Sequence, residues 1–258
     1  MPELPEVEAY KKYFAHTSTG NKVTHIQVID DYVLDGVSVQ KLSSNITGHR
    51  FVSVCRHGKY MFAENDRGIF LVMHFGMTGR LEYNQELKAP EYSKVIFNFK
   101  NGSLYYISTR KLGKLTITPD RMRFIRDKKL GPDALGISWS SFKQLFTGRK
   151  SKVKTALLNQ SLAAGIGNIY ADEICFHARV NPGENLKNLY ADRIRRLYDC
   201  MFYVLNTAVE VNADYSRLPD NWLIGRRKQG SICPECGSCI QNIRIAGRGT
   251  YFCPGCQS

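Results

Sequence analysis

The sequence predicts an α+β protein with two domains: an N-terminal helix and β-sandwich, then a helical bundle that carries a C-terminal four-cysteine zinc finger. Three patterns indicate this. β-Rich runs occupy residues 22–117. A glycine- and proline-containing break at 130–135 follows, and after it the apolar residues recur with a helical period of about 3.6. Two Cys-x-x-Cys pairs lie near the end of the chain. We expect the N-terminal domain at 1–130, the helical domain at 131–224 and the zinc-finger hairpin at 225–258.

The composition indicates a globular protein with a polyanionic partner. The chain has 258 residues, 43% of them hydrophobic, and 36 Lys and Arg against 23 Asp and Glu, a net charge of +13. This positive charge favours nucleic acid as the partner. A membrane is a weaker candidate, because no apolar run has the length of a transmembrane helix. The acidic, proline-containing start is unlike a signal peptide. Eight cysteines without an export signal are typical of reduced thiols, so we expect a cytoplasmic protein.

The first eight residues, Met-Pro-Glu-Leu-Pro-Glu-Val-Glu, carry candidate catalytic groups. Once Met1 is removed, the chain begins with the secondary amine of Pro2, next to the carboxylate of Glu3. An N-terminal amine has a pKa of about 7.7 to 8.0, against about 10.4 for lysine, so part of it is nucleophilic near neutral pH. Its attack on a sugar or carbonyl carbon would leave a cationic iminium, which is Schiff-base catalysis, and Glu3 would move the protons.

The same residues also fit an ordinary helix start. Pro5 suits the first turn of a helix, and the acidic side chains suit the positive end of the helix dipole. Val7, Tyr10 and Phe14 recur at helical spacing, so we expect an amphipathic helix over 5–15. These residues alone leave both interpretations open.

Six β-rich runs are expected behind this helix. Each is rich in Val, Ile, Phe and Tyr, and Asn-Gly at 101–102 indicates a hairpin. The runs cover 22–34, 50–63, 68–74, 94–99, 104–107 and 114–117. Such strands form a sandwich or a barrel behind the first helix.

Three segments of the β region offer candidate nucleic-acid contacts. Lys59, in the basic stretch Arg-His-Gly-Lys-Tyr, would face a phosphate or an acid of the site; a solvated strand lysine is the alternative. Met77, on the loop His-Phe-Gly-Met-Thr-Gly, would insert between bases, although methionine more often fills a core. A second loop, Ser-Thr-Arg-Lys-Leu-Gly, presents Arg110 and Leu112 two residues apart, which suits insertion into a duplex.

The second domain should begin with four helices, over 138–147, 153–160, 168–177 and 189–211. The small-residue turn Ala-Ala-Gly-Ile-Gly precedes the third helix and brings backbone N–H groups together, and Asn168 adds a side-chain donor. Lys150, Lys152 and Lys154 come before it. We therefore predict a phosphate-binding turn; a tight turn in a helical hairpin with solvated lysines is the alternative.

The two cysteine pairs carry the strongest local signal. They have the spacing of a four-cysteine zinc site, whose ligands would be Cys233, Cys236, Cys253 and Cys256. Four thiolates and one Zn²⁺ sum to −2, which would lower the net charge from +13 to +11. The other cysteines, Cys239 among them, are expected to be bystanders.

Between the two pairs we expect a hairpin over 240–245 and 250–252, with Gly-Arg-Gly at its tip. Arg248 in this tip would bind a phosphate through two parallel hydrogen bonds, and the flanking glycines would permit close approach. A purely structural zinc ribbon with a polar tip is the alternative.

Five motifs, taken together, resemble the family of formamidopyrimidine-DNA glycosylase and endonuclease VIII. They are the Met-Pro-Glu-Leu-Pro-Glu-Val-Glu start, the Gly-Lys-Tyr strand, the His-Phe-Gly-Met-Thr-Gly loop, the Gly-Ile-Gly-Asn-Ile-Tyr-Ala-Asp-Glu turn and the four-cysteine finger with Arg-Gly-Thr. The resemblance covers 2–256 in order. It implies a helix-two-turn-helix module, one structural Zn²⁺, and excision of oxidised bases from double-stranded DNA by a nucleoid-associated protein. No feature of the sequence indicates an oligomer, so we expect a monomer.

The resemblance also implies roles for single residues. Pro2 would attack C1′ of the damaged nucleotide, Glu3 would be the acid and base beside it, and Glu6 would support the site. Lys59 would contact phosphate and assist proton transfer, and Arg248 would hold the flipped nucleotide's phosphates and act in the second step of a β,δ-elimination. Contacts to the DNA backbone would come from Lys150, Lys154 and Asn168, and the gap left by the everted base would be filled by Met77, Arg110 and Leu112.

Three departures from the family pattern bear on the substrate. Leu112 stands where phenylalanine is usual, and Tyr-Ser-Lys at 92–94 replaces an expected His-Asp-His segment. The segment 212–229 lacks most of the long loop that caps 8-oxoguanine in well-known members. We therefore predict weaker activity on 8-oxoguanine than on formamidopyrimidines, hydantoins or oxidised pyrimidines.

Two other functions compete with this one. A catalytically silent protein that binds damaged or bent DNA would use the same inserted side chains and finger, but it need not keep Pro2, Glu3 and Lys59 together. A plain zinc-ribbon nucleic-acid protein would make the N-terminal resemblance accidental. Neither accounts for the whole set of motifs.

Overall fold

The structure, a computed structural model, describes residues 1–86 and 88–257 and divides into two compact units. Unit 1 contains residues 1–2 and 6–128, and unit 2 contains residues 3–5 and the chain from 129 onward. The separation of a zinc-finger domain at 225 from the helical domain stays a prediction.

The described residues of unit 1 form two four-stranded antiparallel sheets. The strands are β1 (His25–Val28), β2 (Phe51–His57), β3 (Tyr60–Asn65), β4 (Phe70–His74), β5 (Gly79–Asn84), β6 (Ser93–Phe99), β7 (Gly102–Ser108) and β8 (Lys114–Thr118). One sheet has the order β1-β6-β7-β5 and the other β2-β3-β4-β8. The predicted sandwich is thereby confirmed.

The helices α1 (Leu4–Ser18), α2 (Val39–Ile46) and α3 (Arg121–Asp127) accompany these sheets. The predicted first helix is confirmed: Val7 and Phe14 are buried in the core of unit 1, where the Phe14 ring meets Phe51 with centroids 5.1 Å apart. Leu4 instead belongs to the core of unit 2.

The run 50–63 and strand β5 differ from the prediction. The run 50–63 is a hairpin of β2 and β3, because Gly58, with φ +58°, opens a tight turn that also contains Lys59. Strand β5 was not predicted at all, since its alternation of apolar and polar residues is short and begins with Gly79.

Unit 2 contains helices α4 (Trp139–Phe146), α5 (Val153–Leu158), α6 (Asn168–His177) and α7 (Ala191–Glu210). All four lie where the sequence predicts helices. Their shared core includes the fully buried rings of Phe142, Phe146, Tyr170 and Trp222. Helix α6 is buried on every side, and its buried residues include the carboxylates of Asp172 and Glu173. A helix in this position needs internal partners for its charges.

The C-terminal hairpin consists of β9 (Gln241–Ile245) and β10 (Arg248–Phe252). Ala246 and Gly247 form the turn with φ values of +49° and +73°, as two-residue hairpin turns require. Arg248 is therefore not at the tip, as predicted, but is the first residue of β10, opposite Ile245. A small separate core holds the hairpin base and comprises Phe176, Leu223, Cys233, Ile240 and Cys253.

Within residues 1–86 and 88–257, every helix is too short or too polar to cross a membrane.

Candidate active site

Glu3 is fixed in unit 2 at the start of α6. It is only 1% exposed; its Oε2 accepts a hydrogen bond from the Gly167 N–H at 2.7 Å, and its Oε1 accepts one from Ile169 at 2.8 Å. The Tyr170 N–H adds a longer bond of 3.3 Å. Unpaired N–H groups and the helix dipole favour a carboxylate at a helix N-terminus. Glu3 therefore caps α6, and the cap holds its carboxylate in one orientation.

The turn before α6 binds an anion, but that anion is the protein's own carboxylate. Glu3 occupies three of the N–H groups at this helix start, so they are not available to a phosphate, and phosphate binding by the rest of the turn stays a prediction. Glycine is needed for the approach: a Cβ on Gly167 would lie 2.2 Å from Cδ of Glu3. The Asn168 amide points elsewhere and donates to the Gly249 carbonyl at 3.2 Å, so its contact with DNA stays a prediction.

Lys154 is buried, a position that the sequence did not indicate. It is 0% exposed, and its Nζ lies 2.6 Å from Oδ1 of Asp172. The same ammonium donates to Thr250 Oγ1 at 2.8 Å and to the Gly249 carbonyl at 3.2 Å. Burial lowers the pKa of Lys154, and the Asp172 carboxylate opposes that shift. Lys150 is exposed, so the structure separates two lysines that the sequence treated alike; their phosphate contacts stay predictions.

Asp172 is the central acceptor of this cluster, and sequence reasoning missed it. Its Oδ2 accepts from the Tyr251 N–H at 3.0 Å and from the Arg227 guanidinium, which lies 5.0 Å from the centre of the Tyr251 ring. The signal was present in the sequence: two adjacent acids stand in a helix whose other central residues are apolar on all sides. The second acid, Glu173, accepts from the Leu223 N–H at 2.9 Å.

The four predicted zinc ligands come together. All four sulfurs lie within 4.8 Å of one another, with Cys233 and Cys256 at 3.8 Å and Cys236 and Cys253 at 3.4 Å. Zn–S bonds of about 2.3 Å in a tetrahedron place sulfurs about 3.8 Å apart, so the cluster fits one structural zinc ion. The Ser238 hydroxyl and N–H lower the pKa of Cys236 to about 6, which favours the thiolate that zinc requires. As predicted, Cys239 is outside the cluster.

The loop that carries Met77 packs with its backbone against the backbone of the loop that carries Arg110 and Leu112. Gly76 has φ +58°, and a Cβ on it would lie 2.4 Å from the Leu112 carbonyl carbon. The Arg110 N–H donates to Thr78 Oγ1 at 3.2 Å, which also ties the loops together. Met77 and Leu112 are 41% and 45% exposed, and Arg110 is exposed. The structure thus brings the three predicted gap-filling residues onto neighbouring loops; their insertion into DNA stays a prediction.

Lys59 lies in the β2–β3 turn, half-buried, and Arg56 supports this turn. Arg56 donates to the Gly58 carbonyl at 3.1 Å and to Oε2 of Glu8 at 2.8 Å. Burial would raise the pKa of Glu8, but hydrogen bonds from Lys11 and Arg56 outweigh it and lower the pKa. Glu8 therefore stays ionised and holds Arg56 against the turn. Glu6 is half-buried in the first turn of α1.

His74 ends β4 as a neutral imidazole. Burial, with the positive charges of Lys59 and Lys128, lowers the pKa of His74 to about 4. Its Nδ1 accepts a hydrogen bond from the Gly76 N–H at 3.2 Å, and the Tyr60 ring lies 4.8 Å away. Protonation at Nδ1 would abolish this bond and would place a third positive charge beside two ammonium groups. The loop that carries Met77 therefore depends on an unprotonated His74.

We expect His74 to make unit 1 less stable as the pH falls from about 6.5 to about 4. The unfolded imidazole gains a proton below about 6.5, whereas the folded one does so only near 4, so the unfolded state binds more protons in this window. The full loss is roughly 3 kcal/mol. Urea unfolding at about pH 7 and about pH 5 should show about 2 kcal/mol of it, the part that is lost between pH 6.5 and pH 5. In His74→Gln, whose amide oxygen can accept the Gly76 N–H, stability should fall less; an equal fall would contradict the assignment.

Three family models match successive parts of the chain. Residues 1–115 match the formamidopyrimidine-DNA glycosylase N-terminal domain, 130–220 match the H2TH domain of the same glycosylase, and 230–258 match a zinc finger found in FPG and IleRS. The formamidopyrimidine-DNA glycosylase of Heliobacterium modesticaldum is 34% identical over 278 residues, with 100% of both chains covered. That of Desulfitobacterium hafniense is 32% identical over 274 residues, again with 100% of both covered.

The chain belongs to the formamidopyrimidine-DNA glycosylase family. It is a bifunctional enzyme, a DNA glycosylase and abasic-site lyase with a zinc finger. Solved structures agree with this. A Lactococcus lactis FPG mutant in complex with Fapy-dG containing DNA has a TM-score of 0.90 and 30% identity, with 100% of both chains covered. MutM in complex with carbocyclic 8-oxo-G containing DNA has the same TM-score, identity and coverage.

For a glycosylase of this family, removal of zinc should abolish strand cleavage. The base of the hairpin that carries Arg248 rests on the small core around Cys233 and Cys253, and the metal joins the two cysteine pairs across that base. Zinc content by mass spectrometry and nicking of an abasic-site duplex, before and after chelation, measure the effect. Cys239→Ser, outside the cluster, is the matched control and should keep one zinc ion and full activity. Full nicking by the zinc-free glycosylase would contradict the expectation.

Proposed function

We propose that this enzyme excises oxidised purines from double-stranded DNA and cleaves the strand at the resulting abasic site, and that it prefers formamidopyrimidines to 8-oxoguanine. Relatives with the name formamidopyrimidine-DNA glycosylase share the full length of the chain. Solved relatives are bound to DNA containing Fapy-dG, carbocyclic 8-oxo-G or an abasic site. The observation that carries the proposal is the buried Glu3 cap, which fixes the residue next to the proposed nucleophile, Pro2.

The proposed reaction begins at the amine of Pro2. Its nitrogen attacks C1′ of the damaged nucleotide, the bond from C1′ to the base breaks, and the departing base takes a proton while the amine loses one. Ring opening of the sugar leaves an iminium between Pro2 and C1′. Glu3 supplies and accepts protons in these steps, and the α6 N–H groups that hold its carboxylate need no rearrangement during the reaction.

The iminium then serves as the electron sink for strand cleavage. Loss of a proton from C2′ expels the 3′ phosphate (β-elimination), and a second elimination expels the 5′ phosphate (δ-elimination). Arg248 is proposed to hold these phosphates, because a guanidinium offers parallel donors to phosphate oxygens and Arg248 is exposed on β10. Lys59 is proposed to contact phosphate from the β2–β3 turn, and Glu6 to support the site.

The substrate preference is supported by two features. The segment 212–229 is short and folds into the 3-10 turns Tyr215–Arg217 and Leu223–Arg226, with Trp222 buried between them. Because the segment 212–229 is short and is anchored by Trp222, it has too few residues left over to form a long loop over an everted 8-oxoguanine. In addition, Leu112 offers a smaller, non-aromatic surface than phenylalanine for stacking in the gap.

Single-turnover excision from matched duplexes tests this proposal. The duplexes carry 8-oxoguanine, a formamidopyrimidine, a hydantoin or an oxidised pyrimidine in one sequence context. We expect the formamidopyrimidine to be released faster than 8-oxoguanine, and comparable rates on these two lesions would defeat the preference. Tight binding without release of any base would instead support the catalytically silent alternative.

A further inference from the structure

We propose that Asp172 is a positioning residue for strand cleavage, which acts through Lys154 and Thr250 to set the backbone of Arg248. The inference rests on the proposed role of Arg248 as a phosphate contact. Asp172 lies on α6 and Arg248 begins β10, so the effect would travel from the helical part of unit 2 into its hairpin.

One ion pair and two hydrogen bonds link the two residues in series. Asp172 Oδ1 lies 2.6 Å from the Lys154 ammonium, which donates to Thr250 Oγ1 at 2.8 Å. The Thr250 hydroxyl in turn donates to the Arg248 carbonyl at 3.2 Å. Asp172, Lys154 and Thr250 are each 0% exposed, so water does not compete for these bonds. The backbone of Arg248 is therefore held by a buried network while its side chain is exposed.

The same carboxylate also holds the strand directly. Asp172 Oδ2 accepts from the Tyr251 N–H at 3.0 Å, and the Gly249 carbonyl accepts from Lys154 and from Asn168, each at 3.2 Å. Three successive residues of β10, from Gly249 to Tyr251, are thus fastened to the helical part of the unit. The strand is also paired with β9, but the Ala246-Gly247 turn that joins the two strands beside Arg248 is exposed.

The charges of the cluster make Asp172 its most sensitive member. Asp172 is buried against two cations, Lys154 and the guanidinium of Arg227. A buried ammonium without a counter-charge is strongly disfavoured, so neutralisation of Asp172 should drive Lys154 to move or to lose its proton. Movement breaks the donor bonds to Gly249 and Thr250, and loss of the proton weakens them, because a neutral amine is a poorer donor than an ammonium. We expect the Arg248 segment to shift as a consequence.

A double-mutant cycle tests whether Asp172 acts through Arg248. Single-turnover cleavage of an abasic-site duplex is measured for Asp172→Asn, Arg248→Ala and the double variant, because an abasic site needs no base excision. We expect about a 10-fold or greater loss in Asp172→Asn, since small displacements of a positioned group have effects of this order. The double variant should be no slower than Arg248→Ala. If the fold loss of the double variant equals the product of the losses of the two single variants, the two residues act independently and the inference is overturned.

The salt dependence of binding gives a second readout, which a merely structural role would not change. Loss of one phosphate contact reduces the slope of log affinity against log salt by about 1. Asp172→Asn should show this reduction, and in the Arg248→Ala background it should show none. Asp199→Asn is the matched control: this exposed α7 aspartate pairs with Arg195 and should leave rate and slope unchanged.

If Asp172→Asn loses its zinc or does not fold, variants of Thr250 test the same chain of contacts. Thr250→Val removes the hydroxyl at nearly constant shape and should slow cleavage, whereas Thr250→Ser keeps the hydroxyl and should restore it. If Arg248→Ala cleaves at the unaltered rate, the proposed role of Arg248 fails and the inference fails with it. If Arg248→Ala is slow while Asp172→Asn and Thr250→Val are not, only the positioning role of Asp172 fails.

Discussion

A chain that keeps Met1 will form no borohydride-stable complex with abasic-site DNA, whereas the processed chain will form one. With Met1 in place the Pro2 nitrogen belongs to an amide, which has no basic lone pair and cannot form an iminium at C1′. With Met1 removed, an amine with a pKa of about 7.7 to 8.0 is partly neutral at physiological pH. Borohydride reduces the iminium to a stable amine, so a covalent band on a denaturing gel measures it.

The comparison needs two preparations that differ only at the N-terminus, each verified by intact mass. Both should bind abasic-site DNA with similar affinity, because the zinc hairpin and the gap-filling loops are unchanged. Equal trapping by the two forms would assign the nucleophile to a lysine instead. Tight binding with no trapping by the processed chain would support the catalytically silent alternative and would remove Pro2 from the mechanism.

The sequence predicted those parts of the site whose geometry is local. The zinc ligands form two Cys-x-x-Cys pairs, and thiol chemistry leaves few other uses for such pairs, so all four were identified. The first helix of the chain and helices α4 to α7 were predicted from their apolar residues, which recur at helical spacing or, in α6, fill the whole middle of the helix. Helix α2 was missed, although Ser38 caps it by accepting the Lys41 N–H at 3.2 Å. Its apolar residues, Val39, Leu42 and Ile46, do recur at helical spacing, but the pattern was not recognised in so short a segment.

The contacts between distant segments could not be predicted in this way. Glu3 and Gly167 are 164 positions apart, and Lys154 and Thr250 are 96 apart. Glycines and a helix start indicated an anion site, but the sequence could not show that the Glu3 carboxylate would accept three of its N–H groups. Likewise, lysines 150 and 154 look alike in the sequence, and only the fold buries one of them. Pairing across the chain decides which polar groups remain available for DNA.

Glu3→Gln should lose base excision far more than it loses stability. Proton transfer by a positioned side chain contributes about 10²- to 10⁴-fold to rate, and glutamine cannot supply it. The amide oxygen can accept from only one side of the cap, and the NH2 group then faces a backbone N–H on the other side, so the cap is weakened by roughly 1–3 kcal/mol. Single-turnover release of a formamidopyrimidine and urea unfolding measure the two effects separately. If the rate of excision falls only as far as the loss of stability explains, Glu3 is a helix cap without a catalytic role.

The same expectation can be tested with the carboxylate intact. In Gly167→Ala the added Cβ would lie 2.2 Å from Cδ of Glu3, so the side chain must leave its present position. Excision should fall to nearly the level of Glu3→Gln although no acid has been removed. Gly136→Ala is the matched control, because its Cβ would be 3.7 Å from the nearest atom and should be harmless. Full excision in Gly167→Ala would show that catalysis does not depend on where the α6 cap holds Glu3.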